Sequence, residues 1–218
     1  MSKPNSTHIL LVLDASGSMN SVRTNVTKGL HTLLAKQRDE INSPCTISTF
    51  SFNNYLSRSK PFVNINDFQF SSYFPNGGTA LNDGICFAAV ETTRHIQNLD
   101  EAEQPEKVMV IVITDGHENT SKSYSRTDVK NIIAHYEENY EWDFLFVGSN
   151  QDAYATGTAM GFKSGKALSF AASGVGVDHA LAAISNSILR YRRNGAPRAD
   201  EFFTSEDIAT QNRHGAQS

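Results

Sequence analysis

The sequence predicts an α/β fold, a mostly parallel sheet with helices on both faces. Three observations carry this: strand-like apolar runs alternate with segments of helical period, the run from Val108 to Thr114 is apolar almost throughout, and 218 residues suffice for one sizeable core. Continuous apolar strands are what a sheet covered on both sides requires, because both sets of alternating side chains are then buried.

The first strand is expected over His8 to Leu13, a short run of β-branched residues and leucine. A Gly/Ser turn follows, and Val22, Val26, Leu30, Leu33 and Leu34 then recur at spacings of three and four, which marks an amphipathic helix. Thr46 to Phe52 alternates and is rich in β-branched and aromatic residues, so it reads as a strand. Ser57 to Val63 is expected to form a short strand pairing at the edge. A helix over Ala80 to Ile96 uses Leu81, Ile85, Ala88, Ala89 and Thr92, and an acidic loop from Asp100 to Glu106 leads into the central strand at Val108 to Thr114. Helix over Arg126 to Tyr140, strand over Asp143 to Val147, short helix over Asp152 to Met160 and strand over Ala167 to Phe170 come next. Val177, Leu181, Ile184, Ile188 and Tyr191 form one stripe of a final helix. After Pro197 the period fades, so residues 196–218 are expected to be a loosely ordered or partner-binding tail, and residues 1–7 an N-terminal extension.

Bulk properties exclude several classes. A formal net charge of −4 offers no broad basic surface for a phosphate backbone, so nucleic-acid binding is not expected. No apolar run approaches the roughly 20 residues of a membrane span, and Ile9 to Leu13 is too short for a signal-peptide core. The expectation is a cytoplasmic protein without membrane contact. Cys45 and Cys86 sit in apolar stretches and read as core residues, not a disulfide framework.

In sheets of this kind ligands bind beyond the carboxyl ends of the strands, where strand order reverses. The first strand runs into Asp14, Ala15, Ser16, Gly17 and Ser18; the central strand ends at Asp115 and Gly116; a third loop, Asn76 to Thr79, delivers a threonine just before a helix. Three loops therefore present carboxylates and hydroxyls at one edge. Alternate side chains in Asp-x-Ser-x-Ser can point several oxygens into one small volume, the hard donor set that magnesium requires. Hydroxyls are neutral, so a cation held largely by them keeps charge with which to attract an anionic oxygen from outside.

Asp14, Ser16, Ser18, Thr79 and Asp115, in this order and context, resemble the metal-ion-dependent adhesion site (MIDAS) of von Willebrand factor type A (VWA) domains. The resemblance spans residues 8–195 and implies a three-layer, Rossmann-like VWA fold. It implies Ser16, Ser18 and Thr79 as direct ligands of magnesium, with manganese or calcium as alternatives, and Asp14 and Asp115 bound directly or through water. It also implies a partner protein whose acidic side chain completes the shell, and a last helix whose shift can couple to the site. The stand-alone form is similar to small bacterial and phage members that act as adaptors.

Each residue also has a plainer reading: Asp, Ser or Thr at a strand-to-helix junction commonly caps a helix. Met19 and Asn20 are expected on the rim, and His117, Glu118 and Asn119 either line the site or are simply solvated. Asp83 is read as structural support in the first turn of its helix. Arg190, Arg192, Arg193 and Arg198 complement a helix end or dock an acidic partner, the first being favoured. The alternative function is a metal-dependent hydrolase or phosphatase, but a phosphatase of the haloacid-dehalogenase type needs a second Asp where Ser16 stands. Gly161 to Lys166 lacks the spacing and the following Ser or Thr of a phosphate loop, and Gly174 to Gly176 lacks a third glycine. No catalytic residues are assigned.

Overall fold

A computed structural model describes residues 3–40, 42–70, 74–115, 118–149, 153–171, 173–194 and 202–209. Its elements in chain order are β1 (Lys3–Asp14), α1 (Arg23–Arg38), β2 (Cys45–Phe52), β3 (Leu56–Arg58), β4 (Val63–Asn64), α2 (Leu81–Gln97), β5 (Pro105–Thr114), α3 (Arg126–Tyr140), β6 (Asp143–Ser149), α4 (Ala153–Ala159), β7 (Ala167–Phe170) and α5 (Gly174–Asn194). Among the described residues the strands form one sheet in the order β3-β2-β1-β5-β6-β7, with β4 also paired to β2. Every neighbouring pair from β2 to β7 is parallel; β3 and β4 run antiparallel to β2.

The period-two alternation sorts the strand side chains into two cores. From β1, Ile9, Leu11 and Leu13 face the layer of α1 and α5, where they meet Val26, Leu30, Leu33, Val177, Leu181 and Ile184. Leu10 and Val12 face the opposite layer, with Leu81, Ile85 and Ala88 of α2 and Val129 and Ile133 of α3. Strand β5 divides the same way, which accounts for its unbroken apolar character. Cys45 belongs to the first core and Cys86 to the second; both are free and buried, with the sheet between them. Helix α3 opens with a capping box, Ser125 Oγ accepting from the Asp128 N–H while Asp128 accepts from the Ser125 N–H.

Two local features depart from the sequence expectation, and a third goes beyond it. Strand β1 begins at Lys3, and its pairing with β5 slips between Lys3 and Thr7, where Asn5 takes a left-handed conformation (φ 61°). The single strand expected over 57–63 is instead two short pieces. Between them Phe62 adopts φ 51° and stacks its ring on His8 at 3.7 Å and on His95 at 4.6 Å, and this inward turn breaks the edge ladder. Lys166, from the glycine-rich segment, is buried, with Nζ 2.5 Å from Asp143 and 3.2 Å from Glu137, so it closes an internal ion pair.

The short helix expected from Asp152 is observed over Ala153–Ala159; Asp152 itself lies outside the described residues, as do Gly116, His117, Pro197 and Arg198. From residue 196 onward only 202–209 are described. Phe202 and Phe203 are buried in the α1/α5 core, and the Phe202 carbonyl accepts from Ser187 Oγ and Arg190. Arg192 is also buried and donates to the carbonyls of Gln37, Glu40 and Ser43, so it satisfies the C-terminal end of α1 rather than that of its own helix. Among the described residues no helix is long and apolar enough to cross a membrane.

Candidate metal centre

Strand order reverses between β1 and β5, since the chain passes from β1 to β2 on one side and fills β5, β6 and β7 on the other. In sheets of this kind such a reversal is where ligands bind. Asp14, the last residue of β1, is fully buried. Its Oδ1 accepts from the Ser16 N–H at 2.7 Å and its Oδ2 from Thr114 Oγ1 at 2.5 Å, which ties the end of β1 to the end of β5. From there the polar chain continues outward: Ser16 Oγ is 3.0 Å from Ser18 Oγ, and Ser18 Oγ donates to Asp115 Oδ1 at 2.7 Å. Ser16 is buried and Ser18 exposed, so the chain runs from core to surface.

Thr79 arrives on the third loop and is buried. That loop is laced to the first one, with the Gly17 N–H donating to the Gly77 carbonyl and the Asn76 N–H to the Ala15 carbonyl. Asn119 clasps Thr79 from both sides, its Oδ1 accepting from the Thr79 N–H and its own N–H donating to the Thr79 carbonyl. Gly77 holds φ 73°, and a Cβ there would lie 2.5 Å from Asn54 Oδ1, so the turn requires glycine. Four of the five predicted residues thus share one hydrogen-bonded chain, and the fifth is fastened to it through the backbone.

Burial pushes the Asp14 carboxyl above its ordinary range, against the bonds from Thr114 and Ser16, and the charge of Asp115 pushes the same way. Burial likewise raises Asp115 despite the bond from Ser18. Among the described residues neither carboxylate pairs with a lysine or arginine. Among the described residues no group of three or more His, Cys, Asp and Glu side chains that could hold a metal ion gathers, and the oxygens brought together here come from two carboxylates and from hydroxyls.

The oxygens present fit a small hard cation. Metal–oxygen bonds of about 2.0–2.1 Å in an octahedron put adjacent ligands about 2.9 Å apart. The Ser16 and Ser18 hydroxyls and the Asp115 carboxylate, joined by hydrogen bonds of 3.0 and 2.7 Å, are oxygens of that donor type already close enough to turn onto one ion.

The surroundings differ from expectation at several residues. Met19 is not on the rim: it turns into the α1/α5 core and is 1% exposed, because the short 3-10 turn Gly17–Ser21 directs it inward. Asn20 is exposed and bridges the carbonyls of Gly17 and Pro75. Glu118 is occupied by the N–H groups of Asn82, Thr120 and Ser121 and by the Ser121 hydroxyl. Asp83 accepts the N–H groups of Lys122, Ser123 and Tyr124, a loop support as expected. Thr114 and Asn54 were missed. Thr114 reads as the tail of an apolar strand, and the one signal for Asn54 is an Asn53-Asn54 pair at the carboxyl end of β2. Beside the loops, a cleft of about 500 Å³ is lined by Ala15, Asn53, Tyr55, Phe74 and Asn76 among others, with Tyr55 and Phe74 largely exposed.

Comparison with solved structures identifies the class. The pilus adhesin SpaC from Lactobacillus rhamnosus GG, in its open conformation, superposes with a TM-score of 0.66 at 14% identity, over 86% of this chain and 30% of the adhesin. Proximal thread matrix protein 1 from the mussel byssus, with a zinc-occupied MIDAS motif, gives 0.60 at 14% identity over 81% of this chain and 46% of that one. The PilB minor pilin from Streptococcus sanguinis gives 0.57 at 13% identity, over 88% and 63%. This chain has the von Willebrand factor type A fold, and it spans less than two thirds of the length of each of these proteins. A scan of protein-family models and a search of curated proteins both return no match.

Proposed function

We propose that this protein is a divalent-cation-dependent protein-interaction module. Ser16, Ser18 and Thr79 hold magnesium directly, with Asp14 and Asp115 bound directly or through water, and a coordination position remains for an acidic side chain of a partner protein. Manganese or calcium can substitute. The cation supplies a positive charge that its hydroxyl ligands do not cancel. The observation that carries this reading is the gathering of the Ser16 and Ser18 hydroxyls and the Asp115 carboxylate within hydrogen-bond distance of one another, next to the buried Asp14 carboxylate, with neither carboxylate paired to a lysine or arginine among the described residues. The zinc-occupied motif in the byssus protein supports it by analogy of fold. Ser16 in place of a second aspartate speaks for binding over phosphatase chemistry. Free, buried cysteines on opposite faces of the sheet suit a reducing, cytoplasmic setting.

Isothermal titration tests the metal step. Magnesium binds the wild-type chain, and the Ser16→Ala, Ser18→Ala double variant loses that heat while keeping its fold by circular dichroism. Equal binding by the double variant, or no heat from magnesium or manganese with wild type, overturns the proposal.

A further inference from the structure

Helix α1 differs in charge from the rest of the molecule. It carries Arg23, Lys28, Lys36 and Arg38 and no aspartate or glutamate, in a chain whose formal net charge is −4. Arg38 is consumed internally by the carbonyls of Ile65 and Phe68. Lys28 is exposed, and among the described residues it has no carboxylate partner; Asp178, across the α1/α5 crevice, is engaged with Asn25 instead. The Arg23 guanidinium lies over the exposed Phe74 ring at 5.4 Å.

The exposed side of this helix borders an open depression of about 580 Å³ whose described lining, from Arg23, Thr24, Thr27 and Lys28 to His31, Thr32 and Ala35, lies on α1 alone. Its upper end meets the candidate metal centre. Phe74 begins the loop that ends in Thr79, and Asn20, three residues before Arg23, bonds the Pro75 carbonyl of that loop. From Arg23 to Ala35 a helix rises about 18 Å, the reach of about six extended residues.

We propose that this exposed side of α1 is the docking track for an acidic, extended segment of the partner, whose leading carboxylate reaches the candidate metal centre. The identity of that leading contact rests on the metal reading above; the track itself rests on the Arg23 and Lys28 cations, since the Thr27 and Thr32 hydroxyls are donated to the carbonyls of Arg23 and Lys28. A nucleic acid fits less well, because a duplex carries a charge about every 1.7 Å and would meet the net-negative remainder of the surface on either side. Two or three carboxylates match Arg23 and Lys28 without that penalty.

Fluorescence anisotropy with labelled hexaglutamate, hexaglutamine as the neutral control and oligothymidylate as the phosphate control tests this on the full chain. Hexaglutamate binds in magnesium and hexaglutamine does not. Arg23→Glu with Lys28→Glu weakens binding about tenfold or more, both in magnesium and in excess chelator, with an unchanged circular dichroism spectrum. The Ser16→Ala, Ser18→Ala variant loses only the chelator-sensitive part, so binding that ignores chelator yet falls on charge reversal supports the track and sinks the metal contact. Hexaglutamate affinity untouched by the charge reversal, no hexaglutamate binding to wild type, or tighter binding of oligothymidylate overturns the track.

Discussion

The two ends of the sheet treat buried charge in opposite ways. At the amino ends of the strands, Asp143 and Glu137 meet the buried Lys166 ammonium, and the buried Arg192 is spread over carbonyls at the end of α1. At the carboxyl ends, Asp14 is as deeply buried as any of these groups, but its partners are a hydroxyl and an amide, and its carboxyl is driven upward by desolvation. One end closes its electrostatics within the protein. The other leaves a negative pair for which a cation from solution is the natural complement.

The largest expected effect breaks the closed end. Lys166→Met removes the ammonium and leaves the buried Asp143 carboxylate without its ion-pair partner, while Glu137 keeps Lys163 at 2.9 Å, so unfolding by denaturant should become easier by about 3–5 kcal/mol. Magnesium should not restore this loss. A variant as stable as wild type would show that the far end is no more self-contained than the candidate metal centre.

Acid sharpens the contrast through a third group. His8 is fully buried in the sheet, stacked on Phe62, and burial with the nearby His95 charge lowers its pKa from 6.5 to about 3. The unfolded chain therefore takes up a proton near pH 6.5 that the folded chain refuses until about pH 3. Stability is full above pH 6.5 and falls toward pH 3, by up to about 1.4 kcal/mol per pH unit from this residue. Denaturation series should show His8→Gln with a shallower fall over that window; an equal slope would place the acid sensitivity elsewhere.

The sequence made the open end more legible than the closed one. Asp14, Ser16, Ser18, Thr79 and Asp115 stand at strand ends, where short polar motifs interrupt strong apolar patterns, and local spacing reveals them. Helices α2 and α3 and strands β5, β6 and β7 were likewise visible, because their periods are strong and both faces of the sheet are covered. Lys166 was not, since a lysine in a glycine-rich segment looks solvated until β6 is known to bring Asp143 beneath it. The sequence assigns Arg192 to the end of its own helix, whereas it serves the end of α1, more than 150 positions earlier in the chain. Phe62, Thr114 and Asn54 escaped for the same reason: each acts through a contact between segments distant in sequence, and no period encodes such a contact.

The smallest effect is also the most discriminating, because it reverses sign between the two ends. Asp14→Asn keeps the shape and the acceptor for the Ser16 N–H but removes a desolvated charge beside Asp115. In chelator this should stabilise the protein by about 1 kcal/mol, whereas removing Lys166 at the far end destabilises it. In saturating magnesium the order inverts: wild type gains about 2.7 kcal/mol at a hundredfold excess over the dissociation constant, and the variant gains little. Thermal melts of both proteins with and without magnesium would measure this. If Asp14→Asn is destabilising in chelator, the carboxylate is satisfied by Thr114 and Ser16 alone, and the carboxyl edge does not need a cation from outside.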